Sequence, residues 1–357
     1  MIQKNINKIN NFDLIRLLAA LEVVFTHSVH HLEIKGVIGE FGNLFVYYFP
    51  GVPIFFTISG FLIYWSYDRN SDNIVKYLKN RLLRLYPALW FCLIITVVLL
   101  LFDAKQPFLI LKAGEFWLWI AGQLTLFQFW TPDLLRFWGV GTPNGSLWTI
   151  FIEVQFYLFV PILFFLLKIF SKQKFIIILA IMLISIGVNL FFGQFSEDSM
   201  IAKLGGVTVF PYLYNFLFGV LAYHYWDRIK ILVEKKMLLW LAAYMLYINI
   251  FGNWMGNDLN SYFLYTPYHL ISNIFLAFVV LSTAFTFNNT SNKILNHNDI
   301  SYGVYIFHML VINVLVQRGL IHSTYYFVLV FIATITLASI SWFFVERKFL
   351  KLKNLKK

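Results

Sequence analysis

Long apolar stretches separated by short polar segments run along most of the chain. Each stretch is close to the roughly 20 residues that a helix needs to cross a bilayer. We therefore predict ten transmembrane helices. They lie near Phe12–Leu32, Phe49–Tyr67, Leu82–Phe102, Ser146–Leu167, Phe175–Phe192, Gly206–Trp226, Met237–Trp254, Pro267–Phe287, Ser301–Gln317 and Tyr325–Val345.

One further apolar segment, Phe116–Trp130, is shorter and is interrupted by Gln123, Thr125 and Gln128. Its aromatic residues are typical of the membrane–water interface, so we predict a short interfacial helix on the outer face. The fold class expected is therefore all-α: a polytopic integral membrane protein with about ten transmembrane helices plus this interfacial helix. We expect residues 1–357 to form a single transmembrane domain.

Composition agrees with a membrane protein. Hydrophobic residues make up 60% of the 357 positions and charged residues only 13%, about half the charge of an ordinary soluble domain at roughly 25%. Mean hydropathy is +0.71. This excludes a soluble enzyme and a secreted disulfide scaffold, and the single cysteine, Cys92, allows no internal disulfide.

The net charge of +11 alone could indicate a nucleic-acid-binding protein. When the ten helices are threaded with the amino terminus inside, however, 21 of the 28 lysine and arginine residues face the cytoplasm. Such an excess is the positive-inside signature of membrane proteins. We therefore expect both termini on the cytoplasmic side of the membrane and no nucleic-acid partner.

The first predicted helix carries Arg16 and His27, and ionisable groups inside spans indicate function because they are costly there. The two are eleven residues apart, which places them within roughly 20° on one face and some 16 Å apart along the axis. A structural explanation stays open for each. Arg16 could extend to the inner headgroups, and His27 could bond a neighbouring helix.

Two later helices carry further candidates. Glu153 lies at nearly the same predicted depth as His27, so the two could act as a base and its orienting partner; alternatively Glu153 bonds Tyr157 or is neutral in a polar pocket. His308 lies in the ninth helix with Tyr305 near the same face. A lone histidine in a span is more often a structural hydrogen-bonding group than a catalyst.

Arg81 and Arg84 lie at the cytoplasmic start of the third predicted helix. They need no explanation beyond anchoring that helix, although guanidinium groups also suit phosphate binding. The histidines show no metal-binding spacing, so no metal is expected. Phosphate-binding glycine loops and serine-hydrolase motifs are also missing from the sequence.

Five segments, in this order, resemble the transmembrane acyltransferase family called acyltransferase 3. They are Arg16 and His27 in the first helix, residues 52–63, residues 81–87, Ser146-Leu147-Trp148 with Glu153, Gln155, Phe156 and Tyr157, and Ser301-Tyr302 with Tyr305 and His308. The resemblance runs from about Asn11 to Phe349.

The resemblance implies an O-acyltransferase that moves an acyl group, usually acetyl from cytoplasmic acetyl-CoA, to a hydroxyl of a cell-surface glycan or another extracytoplasmic molecule. His27 and Glu153 would be catalytic, and Arg16, Arg81 and Arg84 would bind the donor. Candidates for supporting roles are Ser59, Asn144, Trp148, Tyr157, Tyr305 and His308. The implied partners are the acyl-CoA donor, a glycan or lipid-linked glycan acceptor and the bilayer.

Two departures from the family pattern are visible. Glu153-Val154 stands where a Glu-Glu pair is frequent, and Glu346-Arg347-Lys348-Phe349 stands where Glu-Arg-Pro-Phe is usual, a change that would alter only how the last helix ends.

A proton- or solute-coupled transporter is the alternative function. The sequence leaves open the acceptor, the acyl group, a ternary-complex or acyl-enzyme route, and the oligomeric state.

Overall fold

The computed structural model describes residue 6 and residues 9–196, 199–256, 266–287 and 289–352. Within these ranges the chain is helical, with no β-strand. The α-helices are α1 Phe12–His31, α2 Val37–Tyr48, α3 Gly51–Asp68, α4 Ile74–Asp103, α5 Pro107–Lys112, α6 Gly114–Leu124, α7 Trp148–Ile169, α8 Lys174–Phe192, α9 Met200–Gly206, α10 Leu213–His224, α11 Trp226–Val233, α12 Met237–Tyr247, α13 Pro267–Ala284, α14 Thr290–Leu295, α15 Ser301–Gln317, α16 Thr324–Ser341 and α17 Arg347–Lys351.

Short helical turns join some of these elements. They are 3₁₀ turns at Asp133–Leu135, Gly145–Leu147 and Phe210–Tyr212, and π-helical turns at Ile248–Trp254 and Trp342–Glu346. The last of these turns makes α16 and α17 nearly continuous. The helix that contains Lys348 ends at Lys351.

The all-helical class is confirmed, but the count of ten spans is not. Seven helical segments are long and apolar enough to cross a bilayer, and the bent pair Met200–Gly206 and Phe210–His224 would make an eighth. Of the two predicted spans left over, α15 has only 17 residues and α1 carries Asp13, Arg16 and Glu22. Both are helices, as predicted.

The chain divides into two compact units. The first comprises Met1–Ala19, Phe45–Ile74 and Gln155–His297, and the second comprises Ala20–Leu44, Val75–Val154 and Asn298–Lys357. Each unit draws on separate parts of the sequence. The outermost residues of the chain, 1–5 and 353–357, whose cytoplasmic location is predicted, lie outside the described residues.

The first unit is built around the close contact of α3 with α10. A Cβ atom on Gly60 would lie 1.8 Å from the Phe216 carbonyl oxygen, and one on Gly219 would lie 2.1 Å from the Thr57 carbonyl oxygen. Only glycine permits this approach of the two backbones, a packing mode common between membrane helices. The contact therefore fixes α3 against α10.

The bent pair of helices in the same unit is stabilised by a side-chain amide. The pair turns by 64° between α9 and the Phe210–Tyr212 turn. The Gln155 amide donates to the Val207 carbonyl oxygen at 2.9 Å, and its oxygen accepts from the Val209 N–H at 2.9 Å. Backbone groups left unpaired by a helix break need such partners inside a membrane.

In the second unit, α15 packs along α16 and supports a loop. A Cβ on Gly303 would lie 2.9 Å from that of Ala338, so the two helices approach closely. Asn313 donates to the carbonyl oxygens of Thr142 and Pro143, both at 3.0 Å, and accepts from the Val140 N–H at 2.8 Å. The loop that leads into α7 is therefore fixed to α15.

The predicted interfacial helix is present but ends earlier than Trp130. The helix α6 has 11 residues and ends at Leu124, about half the length that a crossing needs. Thr125 donates to the Ala121 carbonyl oxygen at 2.7 Å and Gln128 donates to the Thr125 carbonyl oxygen at 2.6 Å. These side-chain bonds to backbone compete with continued helix, and the interfacial location stays a prediction.

Candidate active site

Two histidines from separate helices of the second unit form a direct pair. His27 Nδ1, on α1, lies 2.8 Å from His308 Nε2, on α15. The ring centroids are 5.1 Å apart and the ring planes differ by 25°. His308 is completely buried, whereas His27 is half-buried. The sequence separates these residues by 281 positions, and the fold brings them within hydrogen-bonding distance.

His308 is held in turn by its own helix. Its Nδ1 lies 2.6 Å from the backbone carbonyl oxygen of Tyr305. Among the described residues, none forms a hydrogen bond with His27 Nε2. The remaining ring contact of His27 is with His31, at a centroid distance of 5.8 Å.

A second set of polar groups surrounds the same stretch of α15. The Tyr305 hydroxyl donates to the Ser146 carbonyl oxygen at 3.0 Å and lies 2.7 Å from the Thr149 hydroxyl. Asn144 donates to the Ile306 carbonyl oxygen at 2.8 Å and accepts from the Ser146 hydroxyl at 2.8 Å. The start of α7 is thereby fixed beside the turn that carries His308.

An ion pair lies at the beginning of α15. Arg84 of α4 binds the carboxylate of Asp299, whose side chain is 8% exposed. The same carboxylate accepts hydrogen bonds from the Ser301 hydroxyl and backbone N–H. An aspartate that accepts from the backbone N–H two residues later forms an Asx-turn, so Asp299 connects Arg84 to the start of α15.

Eight of the eleven predicted site residues belong to the second unit. They are His27, Arg81, Arg84, Asn144, Trp148, Glu153, Tyr305 and His308. The other three, Arg16, Ser59 and Tyr157, belong to the first unit. There Arg16 forms an ion pair with Asp13 at 3.0 Å, Ser59 is half-buried on α3, and Tyr157 is buried on α7.

The orienting partner of His27 differs from the one predicted. The expectation was Glu153, but the hydrogen bond that His27 makes is to His308. Depth along two helices was the basis for choosing Glu153, and depth does not tell which helices are lateral neighbours. Glu153 is half-buried on α7, and its catalytic role stays a prediction.

Two residues of this region escaped the sequence reasoning. Asp299 stands two residues before Ser301, the spacing at which an aspartate side chain accepts from a backbone N–H in an Asx-turn, and that signal could have been used. Asn313 lies in an apolar run and is completely buried. A buried amide in a span is a sign of a specific hydrogen-bonding role.

Among the described residues, no group of three or more histidine, cysteine or acidic side chains could hold a metal ion.

Comparison with known proteins identifies the family. Residues 9–343 match the acyltransferase 3 model, described as an acyltransferase domain. The chain belongs to this family. A match that covers nearly the whole chain includes His27, Glu153, Arg84 and His308 and spans both units.

Three relatives illustrate the relationship. Nodulation protein 10 of Rhizobium leguminosarum bv. viciae is 30% identical, over 97% of this chain and 94% of its own. The O-acetyl transferase of Shigella phage Sf6 is 27% identical, over 96% of this chain and 97% of its own. Acyltransferase MdmB of Streptomyces mycarofaciens is 30% identical over 33% of this chain and 28% of its own. No solved structure matches the chain.

Proposed function

We propose that this acyltransferase moves an acetyl group from cytoplasmic acetyl-CoA to a hydroxyl of an extracytoplasmic glycan. The observation that carries the proposal is His27, a half-buried imidazole whose Nδ1 is held by His308 while no described residue bonds its Nε2. An imidazole with one nitrogen held and the other accessible suits a general base. The relative named O-acetyl transferase supports acetyl as the group transferred.

The transfer needs one proton to move twice. His27 takes the proton of the acceptor hydroxyl on Nε2 while the hydroxyl oxygen bonds to the carbonyl carbon of the thioester. The carbon–sulfur bond then breaks, and the thiolate takes that proton and leaves as the free thiol of coenzyme A. The acceptor ends as an acetyl ester and His27 returns to its neutral form. Family membership favours this transfer over solute transport.

The donor is proposed to bind at the cytoplasmic side, where coenzyme A is found. Arg81, Arg84 and Arg16 are the candidates for its phosphates, since guanidinium groups bind phosphate through paired hydrogen bonds. Arg84 already pairs with Asp299 and Arg16 with Asp13. Phosphate at either residue would therefore compete with a carboxylate. The proposed setting is a bacterial inner membrane with both termini in the cytoplasm.

Mass spectrometry of the cell-envelope glycans, with and without the protein, tests the proposal. We expect one glycan to gain the mass of an acetyl group when the protein is present, and to lose it again with His27→Ala. His269→Ala is the control, because it removes a buried histidine that lies in the first unit. Unchanged glycans, or full acetylation by the His27→Ala protein, would overturn the proposal.

Binding of acetyl-CoA to purified protein tests the donor side. Arg81→Leu or Arg84→Leu should weaken binding beyond any loss of folded protein, and lysine at either position should restore it only in part. Lys79→Leu is the control, because it removes a positive charge from an exposed site on the same helix. Equal affinity in all of these proteins would limit the two arginines to anchoring α4.

A further inference from the structure

The buried hydrogen-bond chain from His27 into α15 determines which nitrogen of His27 is basic. It begins at the backbone carbonyl oxygen of Tyr305, which lies 2.6 Å from His308 Nδ1. A carbonyl oxygen can only accept a hydrogen bond. His308 Nδ1 must therefore carry the proton, and in a neutral ring the other nitrogen, Nε2, then has the lone pair.

The protonation state of His308 in turn determines which nitrogen of His27 carries the proton. His308 Nε2 has a lone pair, so the group 2.8 Å away must be a donor, and that group is His27 Nδ1. The 5.1 Å between ring centroids is about the hydrogen-bond length plus the two ring radii. The rings therefore meet edge to edge, with the N–H directed along the line that joins them.

We propose that His308 is a positioning residue that, through the Tyr305 carbonyl, holds His27 in its Nδ1–H tautomer and leaves the Nε2 lone pair as the base. The inference rests on the proposed function, because the reaction uses that lone pair. In many hydrolases a carboxylate orients the histidine. Here a neutral imidazole and a backbone carbonyl would do so, without a buried negative charge.

Burial supports this division of labour. His308 is completely buried on α15 and both of its nitrogens have partners. His27 is half-buried, and its Nε2 forms no hydrogen bond with any described residue. Because the rotation of the His27 ring is limited by the bond at Nδ1, its free nitrogen keeps one direction. An acceptor hydroxyl would meet the lone pair there.

Two variants of His308 separate orientation from packing. In His308→Gln, the amide oxygen can stand in for Nε2 and accept from His27 Nδ1–H, so we expect kcat within about tenfold of wild type. His308→Leu removes the acceptor, and we expect kcat to fall about a hundredfold with the donor KM unchanged. His269→Leu is the control for loss of a buried histidine. All rates are expressed per folded, membrane-inserted protein.

Nitrogen NMR of the full-length protein with ¹⁵N-labelled histidine gives a readout independent of turnover. The His27 signal, identified by its loss in His27→Ala, should show a protonated Nδ1 and an unprotonated Nε2 in wild type. In His308→Leu the Nε2–H tautomer, which a histidine side chain in free solution prefers, should appear. A protonated Nε2 on neutral His27 in the wild-type protein would overturn the inference even if neither His308 variant folds.

The outcomes also distinguish this inference from the proposed function. If His27→Ala is inactive but His308→Leu turns over like wild type, the positioning role is wrong and the function stands. If the wild-type protein transfers no acetyl group, the proposed function is wrong, and the NMR signals alone decide the tautomer.

Discussion

Two polar pairs lie along α15, one just before its first turn and one near its middle, and they differ in charge and in the reactive atom they leave available. At its start, Arg84 and Asp299 form an ion pair between opposite charges. Seven residues after Ser301, or about 10 Å along the axis, His308 pairs with His27, and both partners can be neutral. In the ion pair the two charges neutralise each other, whereas in the histidine pair no described residue bonds the Nε2 nitrogen of His27.

This difference indicates that, in the second unit, the ion pair contributes to stability and the histidine pair to catalysis. A largely buried ion pair is strongly destabilised when one partner is removed, but the pair itself offers no reactive atom. The histidine pair adds little to stability, since a single hydrogen bond contributes roughly 1 kcal/mol. It does keep a basic nitrogen in a fixed direction. Loss of the Arg84–Asp299 ion pair should therefore lower the stability of the fold, and loss of the histidine pair should lower turnover.

The largest effect is expected at the histidine pair. His27→Ala should lower acetyl transfer by about a hundredfold or more, the usual contribution of a general base. Adding His308→Leu should lower it no further, because residues that act as one unit fail together. Transfer rates of the single and double variants, per folded protein, give this comparison. A second large loss in the double variant would show that His308 acts independently of His27.

The ion pair should respond in the opposite way. Asp299→Leu leaves the Arg84 charge without its carboxylate, and we expect the free energy of unfolding to fall by about 3–5 kcal/mol. Replacing both residues with leucine should recover much of that loss. Denaturant unfolding in detergent measures it, with Asp133→Leu as the control, because Asp133 pairs with Arg136 at the surface. A small loss for Asp299→Leu would contradict the assigned structural role.

An intermediate effect is expected in the loop that Asn313 fixes to α15. Gly139 has a φ of +59°, and a Cβ there would lie 1.9 Å from Asn313 Oδ1. Gly139→Ala should lower the free energy of unfolding by about 1–3 kcal/mol. Gly187→Ala is the matched control, because Gly187 lies in α8 with nothing near its Cβ position. Equal melting temperatures for the two variants would show that the loop tolerates the change.

Much of the fold follows from the apolar pattern, because hydrophobic length determines which segments can cross a bilayer. That pattern located the helices, including α1 and α15. It did not locate the bend between α9 and α10, since the break is stabilised by Gln155, which is distant in sequence. The residues around the break do not indicate that a distant glutamine satisfies its backbone groups.

The site was predictable only in part for a related reason. Costly ionisable residues marked His27 and His308 individually. Their pairing depends on α1 and α15 being neighbours within one unit, and sequence position gives depth without lateral order. For the same reason Glu153 was expected where His308 lies. The position of Asp299 before Ser301 was a local signal, but its pairing with Arg84, 215 residues away, was not visible in the sequence.

The smallest effect would show whether Arg84 serves the donor as well as the fold. Asp299→Asn keeps one oxygen acceptor, which can serve the Ser301 hydroxyl and N–H, and removes the negative charge that faces Arg84. If Arg84 also binds phosphates, its charge becomes less neutralised, and the Kd for acetyl-CoA should fall about two- to fivefold, equivalent to under about 1 kcal/mol. In an Arg84→Leu background the same change should have no effect, which isolates the coupling. Unchanged or weaker binding would make Arg84 purely structural, because a carboxylate that competes with phosphate must hinder it.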